Sequence, residues 1–264
     1  MIRVIVCGAY GKMGLEVLKA VHRDEHLSIV GAVDVKSDFS DVGELIGFGK
    51  NGVTIGNDLE TVINETKPQV MVDFTNPESV MKNIRTAIKN GVSPVVGTTG
   101  LSEDDFKEVN ELCKKHKVNA LISPNFSIGA ILMMRLSCEA AKYLPHVEII
   151  ELHHDQKLDA PSGTAIRTAE LIAETRGYLK QGHPAEFEKY KGSRGGEFEG
   201  IRLHSVRLPG YVAHQEVIFG GLGQSLIIRH DSISRESFMP GVVLACKKVL
   251  TLDGLVVGLE HILD

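Results

Sequence analysis

A glycine turn set between a short apolar run and a helical pattern constrains this chain more than any other feature. Arg3-Val4-Ile5-Val6-Cys7 is apolar and β-branched, and reads as a buried parallel strand. Gly8-Ala9-Tyr10-Gly11-Lys12-Met13-Gly14 follows at once, and then Leu15, Leu18 and Val21 fall on one side of a helix. Strand, glycine turn and helix in that order are the context a dinucleotide fingerprint requires. The glycines let the backbone turn tightly and approach a pyrophosphate, whose charge the helix N-terminus faces. The spacing, G-x-x-G-x-x-G, is one residue longer than the usual G-x-G-x-x-G.

The next strand, residues 28–33, ends at Asp34, twenty residues after Gly14. An acid there suits the free ribose hydroxyl of NADH. Lys36 stands two residues further on and suits the 2′-phosphate of NADPH, so both cofactors stay open. Residues 35–56 read as an irregular surface excursion, and 58–66 as a short helix. Gln69-Val70-Met71-Val72-Asp73-Phe74-Thr75 is another buried strand, and Asn76-Pro77-Glu78 caps a helix over 79–89 that stops at Asn90-Gly91. Ser93-Pro94-Val95-Val96 leads into Gly97-Thr98-Thr99-Gly100, and Ser102 and Glu103 start a helix through 112. A last strand, 120–123, precedes Pro124-Asn125-Phe126-Ser127. Strand–helix alternation predicts a Rossmann-type doubly wound parallel sheet with its ligand at the strand ends. Those ends carry small and hydroxyl-bearing residues with one aromatic, a lining suited to a nucleotide and the edge of a nicotinamide ring.

The character changes from Gly129. Residues 131–144 read as an apolar helix with Met133, Met134, Leu136 and Cys138 in its core, and 147–152 as a strand. A helix over 164–176 and a long polar, glycine-rich loop over 177–200 come next. Segments 201–208, 214–219 and 225–231 alternate and are separated by Pro209-Gly210 and Gly220-Gly221-Leu222-Gly223. They read as antiparallel strands joined by tight turns, forming with 147–152 the mixed sheet of an α+β domain. Arg207, His214, Arg229 and His230 read as exposed sheet residues. Residues 236–250 are helical in pattern, and an apolar tail over 252–263 ends the chain.

Between the strand at 147–152 and the helix at 164–176 lies His153-His154-Asp155-Gln156-Lys157-Leu158-Asp159-Ala160-Pro161-Ser162-Gly163-Thr164-Ala165. Two histidines, a lysine and two acids fall within seven residues. The Gly163 and Thr164 amides belong to the first turn of the helix, where a carboxylate can be held. His153 and Lys157 are placed to donate protons beside it. Any one of these residues alone suits a polar loop with a helix cap; all of them within thirteen positions point to a reaction.

Composition excludes several alternatives. The net charge of −5 over 264 residues lacks the basic balance of a nucleic-acid binder. Cys7, Cys113, Cys138 and Cys246 are scattered without a C-x-x-C pair, which fits reduced thiols rather than a disulfide framework or a zinc site. No apolar run approaches the ~18 residues of a membrane helix. The N-terminal apolar run is short and leads straight into the glycine turn, unlike a secretory signal. The expectation is a cytoplasmic protein without metal, nucleic-acid or membrane partners.

These residues together resemble the dihydrodipicolinate reductase family of bacterial lysine biosynthesis. The resemblance covers nearly the whole chain. Its anchors are Gly8 to Gly14, Val72-Asp73-Phe74-Thr75, Val96 to Gly100, Pro124-Asn125-Phe126-Ser127 and, above all, Glu151-Leu152-His153-His154 through Ala165. It implies a Rossmann domain over 1–126, with 236–264 packing back on it, and a substrate-binding and oligomerisation domain over 127–235 that joins homotetramers through its mixed sheet. It implies reduction of a cyclic dicarboxylate by NADH or NADPH to tetrahydrodipicolinate. By the same resemblance His153 is the proton donor or acceptor and Lys157 the second donor, while His154, Gly163 and Thr164 bind the dicarboxylate. Gly8, Ala9, Tyr10, Gly11, Lys12, Met13, Asp34, Lys36, Gly97, Thr98, Thr99, Ser123, Pro124, Asn125 and Phe126 contact the cofactor. Relatives often carry a basic residue directly after the acid; here Val35 stands there and Lys36 follows. The loop at Arg194-Gly195-Gly196 is expected to border the substrate, with no contact assigned.

Overall fold

The apolar run at the N-terminus forms β1 (Ile2–Cys7), whose last four residues are buried. After the glycine turn comes α1 (Lys12–Arg23), which buries Gly14, Val17, Leu18 and Val21 at helical spacing. The alternation continues through β2 (Leu27–Val33), α2 (Val42–Leu45), β3 (Ile55–Gly56), α3 (Leu59–Thr66), β4 (Val70–Asp73), α4 (Pro77–Lys89), β5 (Ser93–Val96), α5 (Glu103–His116) and β6 (Ala120–Ile122). β4, β5 and β6 are buried throughout, as strands covered on both faces must be. Local chemistry sets the helix starts: the side chains of Asp58, Asn76 and Ser102 each accept an amide at the head of α3, α4 and α5.

The second half opens with α6 (Ile128–Ala141), followed by β7 (His146–His153), α7 (Gly163–Arg176), β8 (Gly196–Phe198), β9 (Ile201–Arg207), β10 (Ala213–Gly221) and β11 (Gln224–Ser232). A 3-10 turn over Arg235–Phe238 leads into α8 (Met239–Lys248), and the tail adds β12 (Leu255–Val257). In the computed structural model, which describes residues 1–263, the chain divides into two units, Met1–Ile128 with Phe238–Asp264, and Gly129–Ser237. Asp264 itself lies outside the described residues.

In the first unit seven strands run in the order β12-β6-β5-β4-β1-β2-β3, with every pairing parallel. The chain order reverses between β1 and β4, and a crevice forms there at the strand ends. The tail closes the far edge by pairing Leu255, Val256 and Val257 with Ala120, Leu121 and Ile122. The second unit holds a mixed five-stranded sheet in the order β11-β10-β7-β9-β8. α/β and α+β parts thus follow one another as the patterning predicts.

Three local expectations are corrected. Residues 35–56 are not wholly irregular: Asp41 caps α2 by accepting from Glu44 N–H, and Val42 and Ile55 are fully buried. The segments at 201–208 and 214–219 are not antiparallel neighbours. β7 lies between them, parallel to β9 and antiparallel to β10. Alternation reports which face of a strand is buried, and it is blind to which strand is the neighbour. Finally, Leu136 is 56% exposed. The buried stripe of α6 runs through Ala130, Ile131, Met133, Met134, Ser137 and Ala141, so Leu132 and Leu136 share the opposite side.

Candidate functional site

In the first unit the switch point between β1 and β4 opens a cleft of about 400 Å³. Gly8, Tyr10, Gly11, Asp34 and Lys36 line it, together with Phe74, Thr75, Asn57, Lys82 and Asn83. The glycines are there for space. Gly8 has φ +83°, and a Cβ on it would meet the Phe74 carbonyl oxygen at 2.7 Å. One on Gly14 would sit 2.0 Å from the Gly8 carbonyl oxygen. Ala9 is buried behind the turn, and Lys12 and Met13 are the first residues of α1. No side chain caps that helix at Gly11, so its first amides face the cleft end without a built-in partner. This cradle fits the pyrophosphate of a dinucleotide.

Asp34 is held in place at the edge of the cleft. Its carboxylate accepts from Tyr10 N–H at 3.0 Å and from Lys36 N–H at 3.0 Å. The Tyr10 hydroxyl donates to Asp38. Along the same edge of the sheet, Gly97 follows β5 so closely that a Cβ there would overlap the Phe74 ring at 2.1 Å. The Thr98 hydroxyl donates to Asp73 at 2.8 Å, and Thr99 is exposed. After β6, the buried Ser123 accepts from Leu259 N–H at 3.2 Å, Pro124 is exposed, and the Phe126 ring packs at 5.7 Å from Phe74. Asn125 turns the chain by accepting from Ser127 N–H.

One residue of this unit carries more than its sequence motif suggests. Asp73 is fully buried, and its carboxylate accepts from Thr75 N–H, the Thr75 hydroxyl, the Thr98 hydroxyl and Asn83 Nδ2 at 2.8–3.0 Å. It thereby ties the turns after β4 and β5 to α4. A carboxylate closing a wholly apolar strand was the signal for such a role, because a buried charge needs several donors.

In the second unit β7 delivers the reactive stretch. Its inward residues are Val147, Ile149 and Glu151, and Glu151 is 1% exposed. The Glu151 carboxylate contacts His153 Nδ1 at 2.5 Å and accepts two hydrogen bonds from the Arg207 guanidinium at 2.8 and 2.7 Å. It also accepts from Ser162 N–H at 3.3 Å. Burial pushes the Glu151 carboxyl up, but the hydrogen bonds from His153, Arg207 and Ser205 outweigh it and hold the group at about 2. Arg207 also donates to the Asp159 carbonyl at 2.7 Å, and the Asp159 carboxylate holds Lys157 Nζ at 2.7 and 2.9 Å. Arg207 is therefore not the exposed sheet residue that its sequence position suggests. Its side chain is 19% exposed, and it links β9 to the reactive stretch.

Ser162 caps α7 by accepting from Ala165 N–H at 3.2 Å. Gly163 and Thr164 thus take the first two positions of the helix, where N–H groups point outward from its end. A Cβ on Gly163 would meet nothing within 4 Å, so the space beside that helix end is open. His154 is half-buried one residue past the strand, and its carbonyl accepts from Lys157 N–H at 3.2 Å. Strand end and helix start therefore bring His153 and Ser162 onto one buried carboxylate, with Gly163 next along the helix and Lys157 tied in through Asp159 and Arg207. Arg194 reaches back to Glu148 and Glu186. Among the described residues no cluster of histidine, cysteine and acids could hold a metal ion.

Comparison with known proteins finds two family models, described as the N-terminus and the C-terminus of dihydrodipicolinate reductase, matching residues 2–126 and 129–263. A 4-hydroxy-tetrahydrodipicolinate reductase of Desulfitobacterium hafniense is 58% identical over 264 residues, covering 100% of this chain and 99% of the relative. One from Syntrophomonas wolfei is 55% identical over 261 residues, covering 99% and 98%. Among solved structures, a dipicolinate-bound dihydrodipicolinate reductase from Paenisporosarcina sp. TG-14 matches with a TM-score of 0.90 and 45% identity over the whole of both chains. An amine dehydrogenase of Mycobacterium smegmatis, 16% identical over 98% of this chain and 95% of its own, matches with a TM-score of 0.70 and shares the fold alone.

Proposed function

This chain belongs to the dihydrodipicolinate reductase family, and on that premise we propose what each part of it does. The chain is an oxidoreductase that uses NAD(P)H to reduce the cyclic dicarboxylate 4-hydroxy-tetrahydrodipicolinate to tetrahydrodipicolinate, in the diaminopimelate route to lysine. We assign dinucleotide binding to residues 1–126 with 236–264, and substrate binding and assembly to 127–235.

The nicotinamide, when bound, supplies a hydride. This chain's residues hold it and complete the reaction. Gly8, Ala9, Tyr10, Gly11, Lys12 and Met13 cradle the pyrophosphate. Asp34 and Lys36 meet the ribose end, and Gly97, Thr98, Thr99 and the run from Ser123 to Phe126 border the nicotinamide. Asp34 accepts ribose hydroxyls and Lys36 offers charge to a 2′-phosphate, so both NADH and NADPH are used. The substrate's carboxylates are held by His154 and by the α7 end at Gly163 and Thr164. The 4-hydroxyl leaves with a hydrogen of the neighbouring ring carbon as water, which gives a conjugated ring. Hydride reaching a carbon of that ring leaves an electron pair, and a proton must quench it. His153 donates that proton and Lys157 is the second donor. The cationic groups around the substrate also stabilise the charge that develops.

The observation that carries this reading is that one strand–turn–helix brings His153 and the α7 cap onto Glu151 and ties Lys157 to them through Asp159 and Arg207. A coupled assay tests it. The protein is mixed with a synthase, pyruvate and aspartate semialdehyde, and oxidation of NADH or NADPH is followed in separate cuvettes. Synthase-dependent oxidation is expected with both cofactors. His153→Ala and Lys157→Ala should each cut kcat by about a hundredfold, the range of a positioned proton donor, with cofactor affinity little changed. Losses below threefold for both would remove the assigned roles.

Assembly as a homotetramer through the mixed sheet is part of the proposal. Its support is the face of that sheet carrying Ile150, Ile218 and Ile227, with Ile227 55% exposed. A cytoplasmic location is proposed too. It is supported by four free cysteines, with burial pushing the Cys113 and Cys246 thiols up to about 11 and 12.

A further inference from the structure

Glu151 is given no contact with substrate or cofactor, yet more side-chain hydrogen bonds converge on it than on His153 or Lys157. Its two oxygens meet His153 Nδ1, two N–H groups of Arg207 and Ser162 N–H, with the Ser205 side chain a further donor. We infer that Glu151, paired with Arg207, is the positioning residue of the reductase. It fixes the tautomer of His153 and, through the α7 cap and Asp159, the places of the anion-binding helix end and Lys157.

An ionised carboxylate only accepts. The ring nitrogen of His153 that faces it must therefore carry a hydrogen, so the neutral imidazole is the Nδ1–H form. The proton that moves in each turnover is then carried by Nε2, which is regenerated at the same atom every cycle. Without the carboxylate an imidazole divides between its two tautomers, and part of the population offers the wrong nitrogen. Arg207 has a separate task. A lone carboxylate buried in this position would carry an uncompensated charge whenever His153 is neutral. The bidentate guanidinium supplies that compensation, so the Glu151–Arg207 pair stays neutral while His153 gains and loses its proton. The same guanidinium donates to the Asp159 carbonyl, and the Asp159 carboxylate holds Lys157 Nζ. Ser162, the cap of α7, spends its own N–H on Glu151. The two proton donors and the carboxylate-binding helix end are thus referred to one fixed point.

The inference rests on His153 being the proton donor, and the experiment separates the two ideas. Protein labelled with 15N-histidine is examined by NMR at a pH where His153 is neutral, and its ring signals are assigned by their loss in His153→Ala. The wild-type enzyme is expected to show the Nδ1–H tautomer. In Glu151→Gln one of the two acceptor oxygens becomes an amide NH2; facing His153 Nδ1 it donates instead of accepting, so the signals should move toward the Nε2–H form. The kcat should fall about a hundredfold, while KM for the nicotinamide cofactor stays within threefold. A purely structural role would lower the unfolding temperature without moving the tautomer. The wild-type spectrum needs no variant to fold, and an Nε2–H imidazole in it would overturn the inference. So would a Glu151→Gln enzyme with kcat within threefold of wild type. If His153→Ala keeps full activity while wild type shows Nδ1–H, the donor reading falls and takes the positioning role with it.

Discussion

At the scale of single residues, the most telling glycine is the one the fold does not need. Gly8 and Gly14 are required by the backbone, because a side chain on either would collide with a carbonyl oxygen, that of Phe74 or that of Gly8. Gly163 is different. It has ordinary helical geometry, and a side chain there would enter open space. The fold therefore tolerates a larger residue, and under the proposed function its cost would fall on a ligand approaching the helix end. Gly163→Ala is expected to leave the urea midpoint unchanged or slightly raised, since alanine suits a helix better by up to ~1 kcal/mol. Its KM for the dicarboxylate should rise about tenfold, the effect of weakening one hydrogen bond to a charged group. Steady-state kinetics and a denaturation curve on the same sample check both halves. His153, Lys157 and Gly163 were legible as chemistry because they crowd one stretch. Glu151 and Arg207 were not, since they are 56 positions apart and meet only when β7 and β9 pair. A signal was present all the same: Glu151 occupies the inward position of an alternating strand, after Val147 and Ile149, where an acid demands a cation.

At the scale of elements, the tail decides how firmly the edge of the first sheet is held. β12 extends the sheet beyond β6, and Leu259 N–H and Gly258 N–H donate to Ser123 and Ile122. On the same turn, Gly241 of α8 lies so close to Phe126 that a Cβ would be 2.0 Å from its carbonyl oxygen. Gly241→Ala should therefore push α8 away from the turn that carries Ser123 to Phe126. A stability loss of about 1–3 kcal/mol is expected from such overpacking, with weaker cofactor binding because the same turn is displaced. Calorimetric unfolding and a cofactor titration would show both; a loss of stability with unchanged affinity would mean that the turn does not touch the cofactor. Pattern alone found α4 and α5 with their caps at Asn76 and Ser102, read the tail only as an apolar segment, and failed at neighbours. β9 and β10 are consecutive in the chain yet separated by β7 in the sheet, because an alternating strand states only that one face is buried.

At the scale of the whole molecule, buried carboxylates make stability depend on pH in a definite direction. Glu151 is held at about 2 against an ordinary 4.5. Burial also raises Glu148 and Asp24, and in each the hydrogen bonds from cationic partners, Arg194 with His204 and Lys247, prevail and lower the group. A carboxyl lowered on folding adds stability above its unfolded value, and that addition is lost as pH falls toward the folded value. The urea midpoint should accordingly be level above about pH 5 and drop steeply from 4.5 toward 2, with a shallower drop in Glu151→Gln. Equal slopes in the two proteins would show that Glu151 is not held as an anion in the folded state.

The sequence by itself determined the class of this protein. Periodicity pointed to a doubly wound sheet followed by an α+β part, and the glycine turn, Asp34 and the His153–Thr164 stretch pointed to a nucleotide-dependent reaction beside a bound carboxylate. The resemblance of those motifs to a known family implied reduction of a dicarboxylate. All of these are local signals, read within a turn or a strand and its successor. Tertiary structure decided the rest: the parallel pairing of β7 with β9, the docking of β12 beside β6, the burial of Asp73 among the turns it ties, and the meeting of Glu151 with Arg207. Each of those contacts joins residues far apart in the chain. Local propensity is indifferent to them, and they form because a sheet must pair its edges and a buried charge must find its donors.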